Sequence, residues 1–276
     1  MAVYDKNGSV LSTIYDKNGN ALAMVYDKDG NQIYPDGPPV INVMSYNVQG
    51  WTGMNVENTT ITNTIFNNAD ADIVGIQENG WTGRTAYLNS KGYSYVYNSS
   101  DLTFDRGAIA SKYQMTDMTE VLFSTYTAAR TYVKAYFNIR NKRICYINTH
   151  LDYEPKSTLY AQLEELFNLV EDETYFIITG DLNTKCSSVS DNDYVNGYKQ
   201  YVDAGYHLAN CSNQHGFLDT WVGSTDGSGT WWQTDNIITS SNIDILSVTV
   251  DQTKMEHLDG TNEIDHLPIY TTLQIN

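Results

Sequence analysis

Five short apolar runs, each stopping at a carboxylate, an amide or an imidazole, constrain this chain more than any other feature. Val43 to Tyr46 stops at Asn47, Asp72 to Gln77 at Glu78, and Ile144 to Thr149 at His150. Phe176 to Gly180 stops at Asp181 and Asn183, and the fifth run carries Asp265-His266 ahead of Leu-Pro-Ile-Tyr. A run of four to eight residues rich in Val and Ile reads as a buried strand. A polar residue at the end of such a strand sits on the rim of a sheet, where α/β folds collect their ligands. Five such ends predict one rim bearing hard oxygen ligands and two histidines.

With 276 residues the chain can form one large domain, or one domain with a small appendage. Its net charge of −17 and pI near 4.4 give a bulk field that repels polyanions, so an anionic substrate would need local arginine or metal ions. Cys145, Cys186 and Cys211 are too few for a disulfide scaffold and are not spaced as a zinc site. The longest apolar run before residue 40 is Ala21 to Tyr26. The expectation is therefore a soluble chain with no signal peptide, no transmembrane segment and no membrane partner. Met1 directly ahead of a repeat reads as a native start, and the residues are compatible with a virion-borne or extracellular location.

The first 34 residues repeat with a period of 11, placing Tyr4, Tyr15 and Tyr26 in register. Asn-Gly and Asp-Gly favour hairpin turns because both central positions accept positive φ. Residues 1–34 thus predict a β-meander of four small strands, with too little core to stand alone. It would pack on a neighbour, on copies of itself, or within a larger particle. The loop Asp27-Lys28-Asp29-Gly30-Asn31 has oxygen ligands for calcium but lacks the distal glutamate that closes such a loop, so a turn is the preferred reading. The repeat resembles short YDxNG repeats of tail-associated proteins in bacteriophages of Gram-positive hosts. Residues 35–39, Pro-Asp-Gly-Pro-Pro, read as a linker, and residues 40–276 as the main domain.

Within that domain Leu159, Leu163, Leu166, Phe167 and Val170 share one helical face. They predict a helix from Ser157 to Val170 capped by Ser157 or Thr158, and a second helix is expected between Asn55 and Asn68. Strands are expected over Asp235–Ser240, Ile243–Val250 and Pro268–Ile275. The alternation predicts an α/β fold of two packed sheets flanked by helices.

In order along the chain, SYNVQG, GIQEN, INTHLD, TGDLNT, TDNIITS and DHLPI resemble the endonuclease/exonuclease/phosphatase superfamily, whose fold is that of DNase I. The resemblance spans residues 40–276 and implies a four-layer α/β sandwich of two mixed β-sheets flanked by helices. It implies a magnesium-dependent phosphoester hydrolase, with manganese as a possible substitute. Glu78 would be the principal metal ligand, Asn47 would supply an amide oxygen, and Asp265 a metal-proximal carboxylate. Magnesium takes one or two carboxylates and fills its remaining positions with water and phosphate oxygen. By the same resemblance His150 bonds the scissile phosphate, Asp181 orients or deprotonates water, and Asn183 binds phosphate or metal. His266 is the general base or a phosphate ligand, oriented by Asp235 rather than by Asp244. Arg130 matches a phosphate-contacting arginine, and Asp105-Arg106 an acidic–basic pair supporting the first histidine.

The implied reaction is metal-assisted in-line attack by water, with DNA the first substrate to consider and Trp51, Trp81, Trp231 and Trp232 available to stack bases. A phosphatase or phosphodiesterase acting on a small or lipid phosphoester is the alternative, and a non-catalytic binding module a third reading. The matched positions all keep competent residue types, which opposes the third. Two departures bear on substrate. DNase I-like nucleases carry an arginine two residues after the metal glutamate, where this chain has Gly80. Trp232 replaces the usual disulfide partner of Cys186, leaving Cys211 as its candidate partner.

Overall fold

The computed structural model describes residues 14–15, 21–22, 25–26, 32–34, 38–49, 56–100, 107–222, 231–253 and 265–276. Four short strands come first: β1 (Ile14–Tyr15), β2 (Ala21–Leu22), β3 (Val25–Tyr26) and β4 (Gln32–Tyr34). β1 pairs antiparallel with β2, and β3 antiparallel with β4. The Asp27–Asn31 loop, Pro35 to Gly37 of the linker, Trp51, and Asp105-Arg106 lie outside the described residues.

The main domain continues as β5 (Val40–Asn47), α1 (Val56–Ala69), β6 (Ile73–Gln77), α2 (Arg84–Ser90), β7 (Tyr95–Asn98), β8 (Ala108–Ser111), β9 (Met115–Leu122), β10 (Thr131–Ile139) and β11 (Lys142–His150). There follow α3 (Lys156–Val170), β12 (Phe176–Asp181), a π-helical turn Tyr194–Tyr198, α4 (Lys199–Asp203), β13 (His207–Leu208), β14 (Trp221–Val222), β15 (Trp231–Trp232), β16 (Asp235–Thr239), β17 (Ile243–Val250) and β18 (Ile269–Ile275). One six-stranded sheet has the order β17-β18-β5-β6-β8-β7, the other β13-β16-β12-β11-β10-β9. Each is mixed: β5 and β6 run parallel around α1, and β11 and β12 run parallel around α3. The expected helices are present at Val56–Ala69 and Lys156–Val170. The capping expectation is corrected, because Ser157 and Thr158 already lie in the first turn of α3. The Pro155 carbonyl instead accepts the Thr158 N–H at 2.9 Å.

Three apolar layers separate these elements. Val43, Ile73, Val133, Ile177, Ile237 and Ile269 fill the space between the sheets. Met44, Tyr46, Val74 and Ile76 turn outward onto Ile61, Ile65 and Phe66 of α1. Cys145, Ile147, Phe176 and Ile178 turn outward onto Leu159, Leu163 and Leu166 of α3. Successive strand residues face opposite sides, so strands covered on both faces are apolar throughout, as the sequence runs are. The result is helix, sheet, sheet, helix.

Toward the rim the inter-sheet layer becomes polar. Gln77 Nε2 donates to Asn148 Oδ1 at 2.6 Å and to Ser45 Oγ at 3.2 Å. Thr179 Oγ1 donates to Asn148 Oδ1 at 3.1 Å, and Asn148 Nδ2 donates to the carbonyls of Ile76 and Ala108. All four side chains are buried, and their mutual bonds offset the desolvation they suffer. This belt locks the two sheets together immediately behind the strand ends.

Candidate active site

Strand register assembles the site. His150 pairs with Asp181 across β11 and β12, and Asp181 pairs with Asp235 across β12 and β16, so three of the expected residues stand in one row. Asn47 lies opposite Gln77 on the facing sheet, and Glu78 follows directly. His266 enters through a bridge to Trp221. The chain turns sharply where these strands end: Glu78 and Asn183 have φ of +55° and +50°. Left-handed backbone is uncommon outside glycine and tends to collect at functional sites. Here it lets the chain leave each strand while its last side chains stay on the rim.

Asn47 Nδ2 donates to Glu78 Oε1 at 3.1 Å and to Asp181 Oδ2 at 3.0 Å, while its Oδ1 accepts the Gln49 N–H. In this arrangement Asn47 therefore offers nitrogen, not oxygen, to the two carboxylates. His150 stands between the same pair, with Nδ1 3.7 Å from Glu78 and Nε2 3.3 Å from Asp181. Arg130 Nη1 lies 3.0 Å from His150 Nδ1. Guanidinium can only donate, so His150 Nδ1 accepts and its proton sits on Nε2, facing Asp181. Burial, aided by the Arg130 charge, pulls His150 down to about 4 against the opposing pull of Asp181 and Glu78. The ring is neutral at ordinary pH.

His266 has the opposite balance. Burial lowers its pKa, but Asp235 at 2.8 Å from Nδ1, Asp181 at 3.4 Å from Nε2, and Asp265 outweigh that and raise it to about 10. Thr234 Oγ1 donates to the same Asp235 oxygen, and Trp221 Nε1 donates to Asp265 Oδ2, both at 2.8 Å. Asn183 takes the Asp181 carboxylate on its backbone N–H, while its side chain bonds the Leu151 carbonyl. Asp235 is the carboxylate in contact with His266; Asp244 lies on β17, where its carboxylate accepts from Asn276.

Several residues with a part in the site were not singled out from the sequence. Asp152, two residues after His150, is buried and accepts the backbone N–H groups of Thr127 and Ala128 and the Gln162 amide, with Arg130 Nε 3.9 Å away. It fixes the loop that delivers Arg130. Tyr153, Asn183, Trp221, Trp232, Thr234 and His266 line a cavity of about 350 Å³. Of the tryptophans expected near substrate, Trp232 lines this cavity. Trp81 packs against Tyr87 with ring centres 6.2 Å apart. Cys186 and Cys211 are both free and buried, so no disulfide joins them.

The profile of the endonuclease/exonuclease/phosphatase family matches residues 44–255, most of the chain. The chain belongs to that family. Its fold is shared with a D. rerio TDP2 crystallised with a single-strand DNA product (TM-score 0.69, 19% identity, 85% of this chain and 99% of that one). It is likewise similar to a truncated Caenorhabditis elegans TDP2 (0.64, 18%, 85% and 97%) and to a family protein from Bacteroides thetaiotaomicron (0.66, 14%, 87% and 100%). No curated protein sequence matches the chain significantly. Membership of the endonuclease/exonuclease/phosphatase family, with this rim, supports a metal-dependent phosphoester hydrolase. No helix among the described residues is long and apolar enough to cross a membrane.

The donor set fits a divalent ion. Glu78 and Asp181 share a single amide, so two carboxylates converge no farther apart than the sum of those two bonds. Like charges held so close favour a cation, and hard oxygens suit magnesium or manganese. Asp181, Asp235 and His266 also bring one ligand atom each within 4.8 Å of one another. There, however, His266 Nδ1 is already bonded to Asp235, which suits a proton relay better than a metal cage.

Proposed function

We propose that this chain is a magnesium- or manganese-dependent phosphodiesterase that cleaves nucleic acid, with DNA as the first substrate. The observation that carries the reading is the row His150–Asp181–Asp235, with His266 in contact with both aspartates, facing Glu78 across the two sheets. Glu78, with Asp181 and Asp265 nearby, would hold the ion; turning the Asn47 amide would bring Oδ1 toward it. When bound, the ion neutralises phosphate charge and acidifies water. Asp181 Oδ2, in reach of both histidines, accepts the proton of the attacking water. His266, held in one orientation by Asp235, donates from Nε2 to a phosphate oxygen, and His150 Nε2–H donates beside it. Arg130 and Asn183 add donors as charge builds on the phosphorane. No covalent enzyme intermediate is needed.

The DNA complex of the D. rerio relative supports a nucleic-acid substrate. The test is cleavage of supercoiled plasmid and of single-stranded DNA with magnesium or manganese, comparing wild type with His266→Ala. Metal-dependent cutting lost in the variant sustains the proposal. A folded, metal-loaded wild type that cuts neither substrate refutes it. The cavity of about 350 Å³, near the lower end of small-ligand sites, then favours a small phosphoester, and a phosphatase substrate panel follows.

A further inference from the structure

Trp232 lies three residues before Asp235 and carries a different group on each face. On one side Trp221 stacks, with ring centres 4.3 Å apart and planes 21° from parallel. The Lys185 ammonium sits 3.2 Å from the Trp232 ring centre. An ammonium so close cannot share a face with an indole at 4.3 Å, so Lys185 covers the opposite face. Tyr153 lies beyond, nearly parallel to Trp232 at 13° with ring centres 6.2 Å apart, and its hydroxyl accepts from Lys185 Nζ at 3.1 Å. Trp221, Trp232 and Tyr153 line the same cavity as His266 and Asn183. Lys185 is one of only 16 lysines and arginines in a chain of net charge −17.

Beside the reacting centre, then, a wide aromatic face is covered by one ammonium on a flexible four-carbon stem. A half-exposed ammonium–ring contact is a weak interaction. A base laid on the same indole binds more strongly, and the displaced ammonium is released next to a phosphate. We propose that the Lys185-covered face of Trp232, with Tyr153, is a stacking platform for one nucleobase beside the scissile phosphate, and that Lys185 swings off the ring to pair with a phosphate of that strand. This rests on the reading of the chain as a nucleic-acid phosphodiesterase. A paired, stacked base cannot lie on an indole, so the platform selects single-stranded or frayed nucleic acid over closed duplex.

The test uses a DNA pentanucleotide with one cleavable phosphodiester and methylphosphonates elsewhere. It is made with all bases, and with the base on either side of the cleavable bond removed in turn. For wild type, losing one of those two bases raises KM, and weakens binding measured in EDTA, by roughly 5- to 150-fold, the worth of one stacked base. Trp232→Leu does the same on the intact strand and has no further effect on the strand lacking that base. Trp232→Phe, which keeps a ring and guards against misfolding, retains part of the affinity. Lys185→Gln lowers the slope of log affinity against log salt by about 0.7 on an ordinary single strand. A Trp232→Leu variant that weakens intact and baseless strands alike overturns the platform, and an unchanged salt slope overturns the role of Lys185. A wild type that cuts the strand with no dependence on either base overturns the platform alone. A wild type that cuts plasmid but no oligonucleotide overturns the platform alone, whereas one that cuts neither removes the nuclease reading and the platform with it.

Discussion

Gly75→Ala, a single added methyl group, tests how the two sheets set the site. Gly75 lies in the middle of β6, opposite β11 and β12. A Cβ there would stand 2.1 Å from Thr179 Oγ1 and 2.4 Å from Asn148 Oδ1, where ordinary contact begins near 3.4 Å. Either the sheets separate locally by roughly an ångström, or Thr179 turns its hydroxyl away from Tyr146, Asn148 and the Ile147 carbonyl. Overpacking of a tight core costs about 1–3 kcal/mol. Each buried hydrogen bond lost adds roughly 0.5–1.5 kcal/mol. Replacing glycine within a strand returns about 0.5–1 kcal/mol. The net expectation is a loss of about 2–4 kcal/mol in unfolding free energy, read from urea denaturation. Thr179→Ala removes the nearest obstructing atom, so the double variant should be more stable than additivity predicts by about 1 kcal/mol or more. Because Gly75 precedes Glu78 by three residues and Thr179 precedes Asp181 by two, metal affinity should fall together with stability. A Gly75→Ala protein as stable as wild type, or a purely additive double variant, would refute the argument for close inter-sheet contact.

Asp235→Asn removes the charge that orients His266 and should lower turnover by about 10²–10⁴-fold while leaving stabilisation by metal intact, measured by steady-state kinetics and thermal unfolding. Magnesium or manganese at about 100 times its Kd should raise the unfolding free energy of wild type by about 2.7 kcal/mol. Glu78→Gln should lose most of that gain, and an equal gain in both proteins would rule out Glu78 as a ligand. His150 carries a pH signature in metal-free protein. Its folded pKa is depressed to about 4, so stability tied to the neutral ring is complete above pH 6.5 and is lost as pH falls toward 4. Between pH 6.5 and 5, wild type should lose about 1.5 kcal/mol more than His150→Gln by urea unfolding in EDTA. Parallel curves would contradict a buried neutral His150.

The layered fold was legible because a strand buried on both faces must be apolar on both. The runs before Asn47, Glu78, His150 and Asp181 announce four central strands and their shared rim. Asp235 was preferred to Asp244 because DNIITS resembles the family's strand, and the two differ in setting: DNIIT is buried throughout, whereas Asp244 lies on the edge strand β17. Contacts between loops distant in sequence left no local trace. Asp152 reaches Arg130 across 22 positions, Trp221 reaches Asp265 across 44, and Lys185 reaches Trp232 across 47. No periodicity encodes these. The start of α3 was misjudged because a proline carbonyl supplied what a side-chain cap was expected to supply. The Asn47 amide gives its N–H₂ to two carboxylates that converge from different strands, a contact no local pattern encodes.

The single row formed by His150, Asp181 and Asp235 also separates two kinds of thermal failure. Backbone pairing across β11, β12 and β16 holds those three groups, and these strands lie inside the apolar layers, where opening approaches global unfolding. Tyr153 and Lys185 sit on connecting segments that can open at far lower free energy. On warming, discrimination among substrates should therefore fade while turnover of an undemanding phosphodiester persists. Amide exchange should show the same order, with the loops exchanging well before the three strands. For this chain, losing selectivity and losing chemistry would be distinct events at distinct temperatures.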